Sequence, residues 1–305
     1  MGVLVGLIIV VVIGMIIFLH FASEYAFKKS FHEHKKNKEE ALVVLKNRQM
    51  LDEEIYDEVD MKEVSIKSKD GLRLQGCLVE KYKESKKYII LVHGYSANRH
   101  IHMPFTRVFL NEGFNILIVD QRNHGESEGE FPSYGYYERD DIDLWIDFLK
   151  NRVGNDVYIG LHGQSMGGAT VLMCGARNSN VKFIIDDCGY SSGKEEIKYQ
   201  MSKHKWVPFL PVYKVLNYKV KNRYGFRFED VSPIDDIMKC DKPILFIHGN
   251  ADVTMPYEMA VDMYNRRNNK KDRLLIVDGS GHMTCYRDKK DEYEMLVHEI
   301  IANAN

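Results

Sequence analysis

The chain has 305 residues, 45% of them hydrophobic, with 42 Lys and Arg against 44 Asp and Glu. That length suits one large α/β domain or two small ones, and the near-zero net charge lacks the basic excess of nucleic-acid binders, so no nucleic-acid partner is expected. Five cysteines, Cys77, Cys174, Cys188, Cys240 and Cys285, are odd in number and contain no C-x-x-C pair. They fit reduced, buried thiols rather than a disulfide framework or a zinc site.

Residues 3–19 form an unbroken run of apolar residues and glycines. At 1.5 Å per residue the run comes close to the roughly 30 Å of a bilayer core, which predicts a transmembrane anchor over residues 1–22. A cleaved signal peptide is the rival, but no Lys or Arg precedes the run, and Phe21-Ala22-Ser23 puts a Phe where cleavage needs a small residue. Gly2 raises N-myristoylation, which position 6, a Gly rather than Ser or Thr, does not support. Lys28, Lys29, Lys35, Lys36 and Lys38 all follow the run. The positive-inside rule then puts the remaining chain in the cytoplasm, as the soluble part of a single-pass membrane protein, with an exported domain on an N-terminal anchor as the alternative. Residues 23–60, rich in Lys and Glu around an apolar island at 41–45, read as a charged helical stalk with a solvated face. His32-x-His34 in this segment is too little for a metal site, and no G-x-G-x-x-G or Walker loop follows a strand, so neither metal nor cofactor is expected.

The globular domain spans residues 61–305. Residues 64–67 and 72–80 flank Lys69-Asp70-Gly71, a hairpin signal. Six short apolar runs follow, at 88–92, 116–119, 157–161, 183–185, 244–247 and 274–277. They are rich in β-branched residues and do not alternate, as strands covered on both faces of a parallel sheet do not. Residues 136–150 carry Ile142, Trp145, Ile146 and Leu149 on one helical stripe, with acidic residues at the start and Lys150 at the end. This alternation predicts an α/β fold with a mostly parallel, doubly wound sheet. Residues 191–230 interrupt it with eight aromatic residues and nine Lys or Arg against four acidic residues, and read as a small helical cap. Trp206 and Phe209 are its candidates for acyl contact.

The residues after the strands carry the chemistry. His93-Gly94-Tyr95 follows the first parallel strand, Asp120 to Ser127 the second, and Gly163-Gln164-Ser165-Met166-Gly167 the third. His248 to Asp252 and Asp278 to His282 follow the last two. Open α/β sheets bind ligands at these strand ends. A serine hydroxyl becomes a useful nucleophile only with a neutral imidazole to take its proton and a carboxylate to orient that imidazole. Ser165, Asp252 and His282 supply the three in that order, with Asp186 and Asp187 as rival acids. Gly163 and Gly167 suit a sharp strand-to-helix turn.

From about residue 64 to 301 the chain resembles the serine-hydrolase branch of the α/β-hydrolase superfamily. It is similar to membrane-anchored bacterial esterase-like members related to acyl-protein thioesterases and oligopeptidase catalytic domains. The resemblance implies the α/β-hydrolase fold and the chain order Ser165, Asp252, His282 for a catalytic triad. It also implies an oxyanion hole made by the backbone N–H groups of Met166 and Tyr95. Asp120, Arg122 and His124 then belong to an architectural loop, and His93, His162 and His248 to strand-end structure. The implied activity is hydrolysis of a carboxylic ester or thioester of a small-molecule or lipid-like acyl substrate through an acyl-serine. A peptidase and a non-catalytic membrane-tethered module are the alternatives. Epoxide hydrolase or dehalogenase chemistry is disfavoured because it needs an Asp at position 165.

Overall fold

The computed structural model describes residues 1–31 and 34–304, which leaves His32 of the His32-x-His34 pair outside the described residues. Three helices precede the sheet: α1 (Gly2–Phe31), α2 (Lys38–Asn47) and α3 (Glu54–Glu58). The first part of α1 is apolar, exposed and long enough to cross a membrane. The helix does not stop where that run ends. Ala22, Ser23, Phe27 and Phe31 are buried, because Ser23, Phe27 and Phe31 recur every four residues and make a second stripe on the same helix.

The segment after the apolar run is therefore not a solvated stalk. Phe27 stacks on Tyr224 with centroids 5.6 Å apart, and Lys219 Nζ donates to Ser23 Oγ at 2.8 Å and to Glu24 at 2.5 Å. A capping box between Asn37 and Glu40 starts α2, which buries Ala41 and Leu45 while Val43 faces solvent. Ile55 of α3 is fully buried, and Arg107 clasps Asp52 and Glu58 at 3.1 and 2.8 Å. The charges that suggested a stalk are the outer faces of short amphipathic helices whose inner faces join the core. His34 pairs with Glu40 at 3.1 Å.

The sheet has eight strands in the order β1-β2-β4-β3-β5-β6-β7-β8. The antiparallel hairpin β1 (Met61–Lys67) and β2 (Arg73–Val79) forms one edge. The remaining strands, β3 (Lys87–Val92), β4 (Asn115–Val119), β5 (Tyr158–Gln164), β6 (Val181–Asp187), β7 (Ile244–Gly249) and β8 (Arg273–Val277), are mutually parallel. Their connections carry α4 (Met103–Asn111), α5 (Glu138–Val153), α6 (Met166–Arg177), α7 (Gly193–Ser202), α8 (Phe209–Tyr224), α9 (Pro233–Ile237) and α10 (Glu258–Arg267); α11 (Cys285–Asp288) and α12 (Lys290–Asn303) close the chain.

Two apolar layers cover the sheet. Phe105 and Phe109 of α4 and Val297 and Ile300 of α12 pack on one face, joined by Ala41, Leu45 and Ile55. Ile142, Trp145 and Leu149 of α5 and Val171 and Leu172 of α6 pack on the other. The predicted helical cap appears as α7 and α8, with Phe226 and Phe228 buried beneath them. β5 runs beyond the predicted strand through His162, Gly163 and Gln164, because parallel pairing continues to Gln164 opposite Asp187.

Candidate active site

The turn from β5 into α6 is tight. Ser165 sits at φ 55° and ψ −121°, a left-handed conformation that a non-glycine residue adopts only at a cost of about 1–3 kcal/mol when its surroundings enforce it. The neighbouring glycines are what allow it. A Cβ on Gly163 would collide with the backbone of Gly167, and one on Gly167 would collide with the Val92 carbonyl. The Ser165 N–H donates to the Asp187 carbonyl at 2.9 Å, which fixes the turn to the end of β6.

Three side chains from three loops meet here. His282 Nε2 lies 3.0 Å from Ser165 Oγ, and His282 Nδ1 lies 2.6 Å from Asp252 Oδ2. Asp252 Oδ1 also accepts the N–H groups of Thr254 and Met255 at 2.7 and 2.9 Å. Burial pushes the Asp252 carboxyl up, but hydrogen bonds from His248 and His282 outweigh it and hold the group well below the ordinary aspartate range. A carboxylate only accepts, so the His282 proton sits on Nδ1 and leaves Nε2 bare toward the serine. The two loops are stitched together: Asn250 Nδ2 donates to Asp278 at 2.8 Å, the Gly279 N–H donates to Asn250 Oδ1 at 2.8 Å, and the Ala251 N–H donates to the Ser280 carbonyl at 3.0 Å.

The same carboxylate has a second imidazole on it. His248 Nε2 lies 3.2 Å from Asp252 Oδ2 and 3.1 Å from the Met255 carbonyl. Both neighbours are acceptors, so Nε2 carries the proton and shares it between them. Sequence reasoning treats His248 as strand-end structure alone; its i, i+4 spacing to Asp252 in the loop after β7 was the available signal. The rival acids are occupied elsewhere. Asp187 accepts from Gln164 Nε2 at 2.8 Å and from Tyr293 OH at 3.3 Å, and burial pushes it up to about 6. Asp186 accepts the Gly189 N–H at 3.1 Å.

The remaining candidates hold loops. Burial pushes His93 and His124 down to about 4, so both rings are neutral at neutral pH. His93 donates from Nδ1 to the Gly94 carbonyl at 2.8 Å and accepts the Gln121 N–H at 3.0 Å. His124 accepts the Ser96 N–H at 3.1 Å. Asp120 receives Arg99 at 2.9 Å, and Arg122 forks onto Asp141 at 2.6 and 2.8 Å. This fixes the Gly94-Tyr95-Ser96 loop against the nucleophile: a side-chain carbon on Gly94 would stand 3.0 Å from Ser165 Cβ. Met166 opens α6, where first-turn N–H groups lack partners inside the helix. Tyr95 also walls the site with its side chain, whose OH donates to the Ser30 carbonyl of α1 at 3.1 Å. Cys188 Sγ lies within 4.8 Å of the Asp252 and His282 donor atoms. Burial pushes that thiol well up, so it stays protonated, and the Asp252 oxygens are already engaged.

Residues 83–207 match a family model described as serine aminopeptidase, S33. The chain is 32% identical to the uncharacterized protein YqkD of Bacillus subtilis over 83% of its own length and 83% of the relative's. It belongs to the α/β-hydrolase superfamily. Among solved structures, this hydrolase superposes on the Pyrococcus furiosus esterase Pf2001 with a TM-score of 0.66 at 24% identity, over 80% of this chain and 93% of that one. The thiohydrolase aneE of Aspergillus aculeatus is 33% identical over 45% of the hydrolase and 42% of its own length.

A cavity of about 520 Å³ opens over Ser165 and His282 of the hydrolase. Its cap side is Ile197, Met201, Val207 and Leu216. Trp206 and Phe209, the sequence candidates for acyl contact, are not on its wall. Trp206 packs against Phe18 and Tyr25 of α1, and Phe209 against Tyr213. The opposite wall is α1 itself. Ala22, Tyr25, Ala26, Lys29 and Ser30 line the cavity, the i, i+3, i+4, i+7, i+8 positions of one helical face. Met283, next to His282, and Arg48 complete the far side.

Proposed function

We propose that this hydrolase is a membrane-anchored serine hydrolase that cleaves a carboxylic ester or thioester of a small-molecule or lipid-like acyl substrate. The observation that carries the reading is the hydrogen-bonded series Ser165, His282, Asp252, at 3.0 and 2.6 Å, under a largely apolar cavity. Ser165 Oγ attacks the carbonyl carbon as His282 Nε2 takes its proton. Asp252 keeps the imidazolium oriented, and the N–H groups of Met166 and Tyr95 receive the developing oxyanion. His282 returns the proton to the leaving alcohol or thiol. Water then repeats the sequence on the acyl-serine and frees the acid. The esterase and thiohydrolase likenesses support carboxylic and thioester carbonyls as the target. The apolar start of α1 supports a single-pass anchor, and the lysines that follow it support a cytoplasmic catalytic domain.

The family description favours a second reading, removal of an N-terminal amino acid from a peptide. Labelling with a fluorophosphonate probe followed by a paired series of nitrophenyl esters, acyl thioesters and aminoacyl nitroanilides separates the two. Labelling of the parent and none of Ser165→Ala, with esters or thioesters turned over well ahead of anilides, is expected. Equal labelling of Ser165→Ala refutes the nucleophile, and faster anilide cleavage refutes the ester reading.

A further inference from the structure

The cavity over Ser165 collects positive charge from three separate parts of the chain. Arg48 comes from the C-terminal end of α2, Lys29 from α1, and Lys203 from the end of α7 in the cap. Among the described residues none of the three is in an ion pair. Arg48 Nη1 donates to the Met283 sulfur at 3.6 Å, and Lys203 Nζ donates to the neutral Gln200 amide at 2.8 Å. Lys29 and Lys203 are exposed at the rim, whereas Arg48 is half-buried beside the residue that follows His282. The one carboxyl on the wall among the described residues, Glu196, is buried and pushed up to about 7, so much of it is neutral at neutral pH.

Arg48 is half-buried and feels the Asp187 and Asp252 carboxylates only at longer range, with no carboxylate in hydrogen-bond reach among the described residues, so an anion in the cavity would recover part of the free energy that its desolvation costs. Arginine suits this better than lysine, because its planar fork matches two oxygens of a carboxylate or phosphate. The Arg48 side chain makes no hydrogen bond to a carbonyl among the described residues, and other arginines do the structural work of clasping carboxylates, Arg107 on Asp52 and Arg122 on Asp141.

We propose that the cavity holds an acyl substrate bearing a carboxylate or phosphate, with Arg48 as the residue that pairs with that anion and Lys29 and Lys203 drawing it in from the rim. The assignment deepens the acyl-ester reading of the same site and rests on it for the identity of the reacting group. It also fits the division of the walls: the apolar faces of α1, α7 and α8 take the chain, and the Arg48 side takes the charge.

The test compares full-length protein in detergent with Arg48→Gln and Arg48→Lys. One arm measures kcat/KM for a nitrophenyl octanoate and for the octanoate analogue ending in a carboxylate, both below their micellar concentrations. A second arm repeats the comparison with an acyl lysophospholipid carrying a terminal phosphate in phosphatidylcholine vesicles, which distinguishes a lipid headgroup from a soluble anion. A third measures binding of dodecyl phosphate and dodecanol by calorimetry and does not require turnover. The parent should favour the charged member of each pair. Arg48→Gln should lower the charged-to-neutral ratio by roughly tenfold or more, mainly through KM, and Arg48→Lys should restore part of it. An unchanged ratio, in protein that still labels with fluorophosphonate, overturns the anion site. Selective dodecyl phosphate binding lost in Arg48→Gln, in protein that cleaves neither ester, would instead uphold the anion site and reject the ester reading.

Discussion

Replacing Asp252 by Asn tests the site most directly, because the structure dictates what the amide must do. Its oxygen stays on the Thr254 and Met255 N–H groups, which Asp252 Oδ1 already receives at 2.7 and 2.9 Å. The amide NH₂ then takes the place of Oδ2 and faces His282 Nδ1 and His248 Nε2, now 2.6 and 3.2 Å away. A donor there forces His282 to accept at Nδ1 and carry its proton on Nε2, so the ring can no longer take a proton from Ser165. The loss should be about 10⁴-fold in kcat, or roughly 5.5 kcal/mol of transition-state stabilisation. The turn survives, and loss of the charged bond to His248 should cost stability by only about 1.5–3 kcal/mol. The assay is steady-state hydrolysis of a short nitrophenyl ester beside urea denaturation, with Asp187→Asn as comparator. The Gln164 and Tyr293 donors can use the amide oxygen of that variant, so it should stay within about tenfold of the parent. A crippled Asp187→Asn beside a nearly normal Asp252→Asn would refute the reasoning.

Glu196 should make stability depend on pH. Its folded value near 7, against an ordinary 4.5, means the folded protein holds more protons than the unfolded chain between those values, so stability falls as pH rises through that window and stays lower above it. Glu196→Gln should therefore gain at pH 8 relative to pH 5 by up to about 3 kcal/mol, and thermal melts at the two pH values that shift equally would count against it. A chain beginning at His20 should fold and label with fluorophosphonate, whereas Phe31→Ala should lose about 3–5 kcal/mol in urea denaturation, since Phe31 is buried against Tyr134 and Tyr224. A denaturation midpoint unchanged in Phe31→Ala would show that α1 does not support the cap.

The sheet and the meeting of Ser165, Asp252 and His282 were legible because parallel strands buried on both faces announce themselves as short apolar runs, and the residues after them share one edge. What escaped lies where two periodicities overlap. The hydropathy of residues 3–19 hides the change of face at Ala22, and the cavity-lining positions 22, 25, 26, 29 and 30 include a Lys and a Ser that read as solvent-facing. Arg48 has no local signal, because its relation to Met283 spans 235 residues of sequence. His248 was legible as a strand-end histidine, and its i, i+4 spacing hinted at Asp252, but the fold of the loop after β7 is what turns its ring onto that carboxylate.

Helix α1 contains no proline and runs unbroken for 30 residues, about 45 Å of stiff rod. Its first twenty residues are a handle and its last ten a working end, held in the cleft by Lys219 and by the hydroxyls of Tyr95 and Tyr134 on the Ser30 carbonyl. Seated in a bilayer, such a handle adjusts its tilt to the thickness of the surrounding lipid. A ten-degree change pivoting near residue 22 would sweep the tip at Phe31 through about 2 Å, comparable with the width of a methylene group. With the proposed anchor in place, lipid composition would become a mechanical input to how wide the cleft stands open, delivered through a lever that is itself one of its walls.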